Sequence, residues 1–186
     1  MKLTFEEKVA LLDGSDVWHT KVFEGVPSIM MADGPHGLRK VIDGTSVHET
    51  TEQAVCYPSM VTVASSFDPN ISYKMGNSIA KEFKSKGVSL ILGPGVNIKR
   101  NPFCGRNFEY FSEDPFVSTK MAEGFIKGAK AENIGVCIKH YALNSQEHYR
   151  MTSNSIADDR AKYEIYYKTF QELVKLDPEM VMCSYN

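Results

Sequence analysis

An α/β fold with a parallel sheet is the class this sequence predicts, and three observations carry it. Short apolar runs recur at intervals that leave room for a helix between them. The intervening stretches carry apolar residues three and four apart, the spacing of a helix with one buried face. Several runs also end in charged or hydroxylated residues, as strands do where their carboxyl ends carry a site.

The elements follow in order. Thr4 with Glu7 three residues later is a capping-box signal, and Phe5, Val9 and Leu12 share one face of the helix it opens. Ser28-Ile29-Met30-Met31-Ala32 reads as a buried strand that delivers Asp33 into a loop. Val61-Thr62-Val63-Ala64 reads as a second strand ending in a plainer Ser65-Ser66. Asp68-Pro69 supplies a cap and a first-turn proline for a helix ending near Gly87, with Ile71, Met75, Ile79 and Phe83 inward. Val88-Ser89-Leu90-Ile91-Leu92 is the third strand and runs into Gly93-Pro94-Gly95. Asp114-Pro115 opens the next helix, with Val117, Met121, Phe125 and Ala129 inward. Val136-Cys137-Ile138 then runs into Lys139-His140. A helix after Asp158-Asp159 turns Ala161, Ile165, Thr169 and Leu173 to one side, flanked by Tyr166 and Phe170. Met180-Val181-Met182-Cys183 is the fifth strand, leading to Ser184-Tyr185-Asn186. The helical stripes read as core rather than cofactor boxes.

Five strands with intervening helices fit either a doubly wound sheet or part of a (β/α)8 barrel. A doubly wound nucleotide-binding fold would place a glycine-rich turn directly after the first strand. Here that strand leads to Asp33 and an irregular polar loop running through His48 and Glu52, and a second long loop spans Gly93 to Asp114. Long loops at the carboxyl ends of strands are usually functional. The expectation is therefore an incomplete (β/α)8 TIM-type barrel. A whole barrel takes about 250 residues, so 186 residues hold roughly its first five βα units. The chain stops at Asn186 just after a strand, which would leave an unpaired edge; residues 1–186 read as the amino-terminal part of an interrupted barrel domain.

Composition excludes several classes. The chain is 42% hydrophobic and 24% charged, ordinary for a globular protein. A net charge of −2 argues against a nucleic-acid partner, which needs a clustered cationic excess. No apolar run approaches the roughly 20 residues needed to span a bilayer, so no membrane partner is expected. Met1 to Glu7 reads as a helix start rather than a signal peptide, which predicts a cytoplasmic protein. Cys56, Cys104, Cys137 and Cys183 lack CxxC spacing and read as buried reduced thiols. No cofactor or metal is expected: there is no Walker A or GxGxxG stretch, and the histidines lack a ligand spacing such as HExxH.

Asp33, Arg106, Lys139, His140, Arg150 and Tyr185 form a coherent chemical set. A sugar ring presents several hydroxyls, each able to donate and accept, and a fixed pose needs a carboxylate acceptor beside cationic donors. Asp33 can take two adjacent hydroxyl protons, while Arg106, Lys139 and His140 donate to neighbouring ring oxygens. Trp18, Phe103, Phe108, Tyr110 and Phe111 are the aromatic residues available to wall the faces of a sugar. Lys139-His140 at the end of a buried strand is the sharpest signal, since burying a charge without a partner is costly.

The segments DGPHGLR (33–39), GRNFEYFSEDP (105–115), KHYALNSQEHYR (139–150) and MCSYN (182–186) together resemble glycoside hydrolase family 3, most of all its bacterial and fungal β-glucosidase branch. Four motifs in the family's order and spacing make the resemblance specific, and it covers essentially the whole chain. It implies an amino-terminal barrel followed by an α/β sandwich domain, and retaining hydrolysis of terminal β-D-glucosyl residues. By the same resemblance Asp33 holds distal hydroxyls of glucose in the −1 subsite, and Arg106, Lys139 and His140 bind its ring hydroxyls. Arg150 and Tyr185 would lie beside the nucleophile and orient it. The run Tyr141 to Gln146 lacks the catalytic Asp-His pair of the family's N-acetylglucosaminidases, which argues against that activity.

Retaining hydrolysis needs two carboxyl groups about 5–5.5 Å apart. The family's nucleophile, in a Ser-Asp-Trp motif, falls on the strand after the one ending at Tyr185, and its acid/base glutamate comes from the following domain. No catalytic carboxylate is therefore expected within these residues. Glu109, Glu113 and Glu147 match neither position and read as solvated or loop-structuring. The expected partner is a small carbohydrate such as a β-glucoside or cello-oligosaccharide. A β-xylosidase or arabinofuranosidase of the same family, and a non-catalytic sugar-binding domain, are the alternatives.

Overall fold

The computed structural model describes residues 3–42 and 50–185. The part of the first long loop around His48 lies outside the described residues. Four parallel strands form one sheet in chain order: β1 (Met31–Asp33), β2 (Leu90–Leu92), β3 (Gly135–Tyr141) and β4 (Met180–Cys183). Asp33 pairs with Leu92, Leu90 with Gly135, and Lys139 with Met182. All carboxyl ends thus point to one pole.

Two long helices cover the sheet. Helix α3 (Pro69–Ser85) is capped by Asp68, whose Oδ1 accepts from Asn70 N at 2.9 Å. Helix α4 (Pro115–Lys130) is capped by Asp114, which accepts from Val117 N at 2.8 Å. Both begin with proline, whose missing N–H costs nothing in a first turn. Met75, Ile79 and Phe83 of α3 join Met121, Phe125 and Ala129 of α4 in the core with Ile91, Val136 and Ile138 from the strands. The two helices pack backbone to backbone: a Cβ on Gly128 would collide with the Tyr73 carbonyl oxygen, and one on Gly76 with that of Phe125. Ser72 takes the inward place expected of Ile71 and donates to Met121 O at 2.6 Å. No helix among the described residues is long and apolar enough to cross a membrane.

Several expectations are corrected. Val61 to Ala64 is not a strand but lies in a short helix, α2 (Met60–Ala64), so the described sheet has four strands rather than five. Met60, Val63 and Ala64 are buried while Val61 and Thr62 are exposed, the spacing of one helical turn, which the β-branched pair obscured. Helix α1 (Phe5–Ala10) has its capping box, but Phe5, Val9 and Leu12 are exposed rather than packed. The helix after Asp158 is broken into α5 (Asp159–Ala161), a π turn over Lys162–Tyr166 and α6 (Lys168–Leu173). The extra residue of a π turn rotates the buried face, so Tyr166 and Phe170 turn inward beside Thr169 and Leu173 while Ile165 is exposed. Cys104 and Cys137 are buried, as expected, but Cys56 and Cys183 are exposed; all four are free thiols.

Candidate functional site

The site is built at the carboxyl pole. Asp33 ends β1, and its loop folds back so that Arg39 N donates to Asp33 O at 2.8 Å. Gly34 (φ 137°) and Gly37 (φ 146°) make this return, in a backbone region that favours glycine. Lys139 and His140 lie inside β3 rather than after it, and pairing with β4 slips between Lys139 and Tyr141. A 3₁₀ turn over Asn107–Glu109 brings Arg106 and Glu109 beside them.

Five side chains form one charged cluster. Lys139 Nζ stands 3.6 Å from Asp33 Oδ1 and 3.5 Å from Glu109 Oε2. Arg106 Nε donates to Glu109 Oε1, and Arg39 Nη1 lies 3.4 Å from Asp33 Oδ2. The Glu109 and Lys139 side chains are each 3% exposed, so each charge depends on its neighbours rather than on water. Burial acts to lower the Arg106 pKa, but Glu109, with smaller contributions from Tyr110 and Glu147, holds its guanidinium above the usual range.

The cluster opens on a cavity of about 540 Å³, within the range of about 300–1,000 Å³ common for small-molecule pockets. Asp33, His36, Arg39, Arg106, Phe108, Glu109 and Lys139 line one part, and Thr51, Glu52, Ala54, Val55 and Cys56 another. His36 meets Phe108 edge-on with ring centroids 5.3 Å apart, and its buried Nδ1 has no hydrogen-bond partner among the described residues.

The predicted residues divide. Asp33, Arg106 and Lys139 meet in the cavity wall, whereas His140, Arg150 and Tyr185 are not among its lining. His140 is buried; its backbone exchanges hydrogen bonds with the Asn97 amide, and its Nδ1 lies 3.1 Å from Tyr110 Oη. Burial first, then the charges of Arg106, Lys139 and Arg150, push its pKa down to about 2, so the ring is neutral. Arg150 Nη1 donates to Glu147 Oε2 at 2.8 Å, and its guanidinium sits 5.0 Å from the centroid of the Tyr185 ring. Of the predicted aromatic wall only Phe108 lines the cavity: Tyr110 and Phe111 are buried in the interior, and Phe103 is exposed.

Glu109 is buried, which corrects the expectation of a solvated side chain, while its ion pair with Arg106 across the 3₁₀ turn agrees with the loop-structuring one. It was detectable as a carboxylate one turn after Arg106, but only the fold brings Lys139 to its other oxygen. Asn97 lies outside the quoted motifs, and Tyr110 and Asn144 lie inside them with no sign of this role, because the network around His140 depends on contacts across 30 or more residues. No group of three or more His, Cys, Asp or Glu side chains that could hold a metal occurs among the described residues.

A carboxylate, a lysine and an arginine are thus joined at the carboxyl pole of a parallel α/β sheet, the end where such folds place their binding sites. Residues 4–186 match the glycosyl hydrolase family 3 N terminal domain, and the chain belongs to that family. It is 47% identical over 190 residues to thermostable beta-glucosidase B of Acetivibrio thermocellus, with 100% of this chain and 25% of the relative covered. It is 44% identical to an exo-alpha-(1->6)-L-arabinopyranosidase of Bifidobacterium longum, with 99% of this chain and 25% of the relative covered. The crystal structure of beta-glucosidase from Kluyveromyces marxianus in complex with glucose superposes with a TM-score of 0.93 at 38% identity, covering 100% of this chain and 22% of that one. Beta-glucosidase 3B of Thermotoga neapolitana in complex with glucose gives 0.89 at 37% identity, covering 99% and 28%. The chain therefore spans about a quarter of the length of the relatives it matches.

Proposed function

We propose that the cavity is the −1 subsite of a retaining β-glucosidase that releases terminal β-D-glucose. The observation that carries this is the linked Asp33, Lys139, Glu109 and Arg106 cluster in the cavity wall of a family 3 chain. Asp33 accepts from adjacent sugar hydroxyls, and Arg106, Lys139 and His140 donate to their neighbours. Arg150 and Tyr185 lie beside the nucleophile and orient it. The attacking and protonating carboxyl groups come from polypeptide outside residues 1–186, so these residues grip the sugar and hydrolyse nothing alone. In this reading they form the amino-terminal part of a (β/α)8 barrel, which a parallel sheet with strands in chain order supports.

A pentose substrate is the second reading, favoured by the likeness to an arabinopyranosidase. The test is kinetic, on the complete polypeptide, with aryl β-D-glucoside, β-D-xyloside and α-L-arabinopyranoside in parallel. Asp33→Ala removes charge-assisted bonds of about 1.5–3 kcal/mol each, which predicts a loss of at least about a hundredfold in kcat/KM. Near-normal kcat/KM for the glucoside in that variant would make Asp33 a loop residue and remove the site assignment. A wild-type preference for either pentoside would replace the glucosidase reading with the second one.

A further inference from the structure

The hydrogen bonds around His140 run in one direction. Asn144 Nδ2 lies 2.9 Å from Glu147 Oε1 and 3.0 Å from Tyr110 Oη, donating to both. Reversing this amide would set its oxygen against the Glu147 carboxylate, which can only accept, so the amide orientation is determined. Tyr110 Oη thus accepts from Asn144 and must place its own hydrogen elsewhere. Its other neighbour among the described residues is His140 Nδ1, at 3.1 Å. Tyr110 is fully buried, and burial holds its phenol well above the usual value, so the hydroxyl keeps its proton.

The competing partner of Nδ1 is weaker. Asn97 Oδ1 lies 3.3 Å from Nδ1 and already accepts from His140 N at 2.8 Å. Asn97 Nδ2 donates to His140 O at 2.9 Å, which fixes that amide as well. A proton on Nδ1 would turn to Asn97 and leave the Tyr110 hydroxyl hydrogen without an acceptor in the core, a costly arrangement. A lone pair on Nδ1 gives the Tyr110 hydroxyl hydrogen an acceptor and keeps both Asn97 bonds, leaving Asn144 Oδ1 as the buried atom of this network without a partner among the described residues.

We propose that Tyr110 is a positioning residue whose hydroxyl donates to His140 Nδ1 and sets the imidazole as the Nε2–H tautomer, a hydrogen-bond donor toward the ligand. The second half rests on the reading of His140 as a sugar-binding residue. Nε2 has no partner within the protein among the described residues, so it is the ring nitrogen left for a ligand. A neutral donor there selects a ligand oxygen that accepts, while Asp33 takes the hydroxyls that donate. The pocket then discriminates by hydrogen-bond polarity as well as by shape.

Two measurements on the complete polypeptide test the two halves separately. The first is ¹⁵N NMR of histidine-labelled, ligand-free protein, with His140 assigned by its absence in His140→Gln. The expected signature is a pyridine-type Nδ1 and a pyrrole-type Nε2, moving toward the opposite tautomer in Tyr110→Phe. A pyrrole-type Nδ1 in the wild type overturns the proposal, and that spectrum decides the tautomer even if Tyr110→Phe fails to fold. Unchanged imidazole shifts in a folded Tyr110→Phe protein overturn the positioning role. The second is competitive inhibition by methyl β-D-glucosides in which each hydroxyl in turn is replaced by hydrogen or by fluorine. Fluorine can accept but cannot donate, so at the hydroxyl facing His140 the fluoro compound should bind about two- to tenfold more tightly than the deoxy one. Tyr110→Phe should erase that difference at the same position alone. The expected tautomer with no split at any position would uphold the Tyr110 assignment and sink the reading of His140 as a sugar ligand.

Discussion

Glu109→Ala is the substitution whose cost the structure defines best. The Glu109 carboxylate touches Lys139 through Oε2 at 3.5 Å and Arg106 through Oε1, and it is 3% exposed. Its removal leaves Lys139, equally buried, with Asp33 alone at 3.6 Å, and Arg39 already draws on that carboxylate. Breaking a buried ion pair from one side costs about 3–5 kcal/mol. Lys139 keeps one partner and the Arg106 side chain keeps 22% of its exposure to water, which puts the cost near the lower end, about 3 kcal/mol. For a cooperative unit of about 150–250 residues 1 kcal/mol moves the melting temperature by about 2–4 °C and for a larger one by less, so a fall of up to about 6–12 °C is expected. Differential scanning calorimetry of the complete polypeptide reads it, following the transition that glucose shifts. Glu109→Gln, which keeps the shape and an acceptor for Arg106, should lose roughly half as much. Glu113→Ala is the control, since that side chain is exposed. If Glu109→Ala melts within about 1 °C of Glu113→Ala, the cluster does not hold the fold and the electrostatic argument for the site fails.

Three further outcomes follow from the same geometry. His140 is held neutral in the fold down to about pH 2, whereas an unfolded histidine takes a proton near pH 6.5. Its contribution is therefore complete above about pH 6.5 and is lost at up to about 1.4 kcal/mol per pH unit below it; urea titrations should show a shallower acid decline in His140→Gln, and parallel declines would refute the assignment. Gly128→Ala forces α4 away from the Tyr73 carbonyl and should cost about 1–3 kcal/mol, whereas a neutral result would show that the helices are not in backbone contact. Ellman's reagent should modify Cys56 and Cys183 first, because Cys104 and Cys137 are buried and burial pushes the Cys137 thiol up to about 11. Glucose should slow Cys56, which lines the cavity, and leave Cys183 unchanged; equal protection of both thiols would move the sugar elsewhere.

Local chemistry was legible from the residues alone. Aspartate before proline announced α3 and α4, three- and four-residue spacing identified most of their buried faces, and short apolar runs located the four strands. These signals depend on neighbours a few residues apart, so sequence order carries them. The same rules failed where a tertiary contact outweighed local preference. Val61 and Thr62 favour a strand, yet burial of Met60, Val63 and Ala64 on the core makes the segment a helix. The π turn at Lys162–Tyr166 shifts a buried stripe by one residue, and no periodicity announces it.

The site divides along the same line. Asp33, Arg106 and Lys139 stood out as chemistry-bearing residues in motifs, with Asp33 ending one strand and Lys139 in the carboxyl-terminal half of another that the alternation of elements located. What joins them is Glu109, and what orients His140 is Asn97, Tyr110 and Asn144. Those contacts became visible only when residues 30 to 43 positions apart in the chain met across the carboxyl pole. A buried charge or imidazole takes its state from whatever surrounds it in space, and sequence separation carries no record of that neighbourhood.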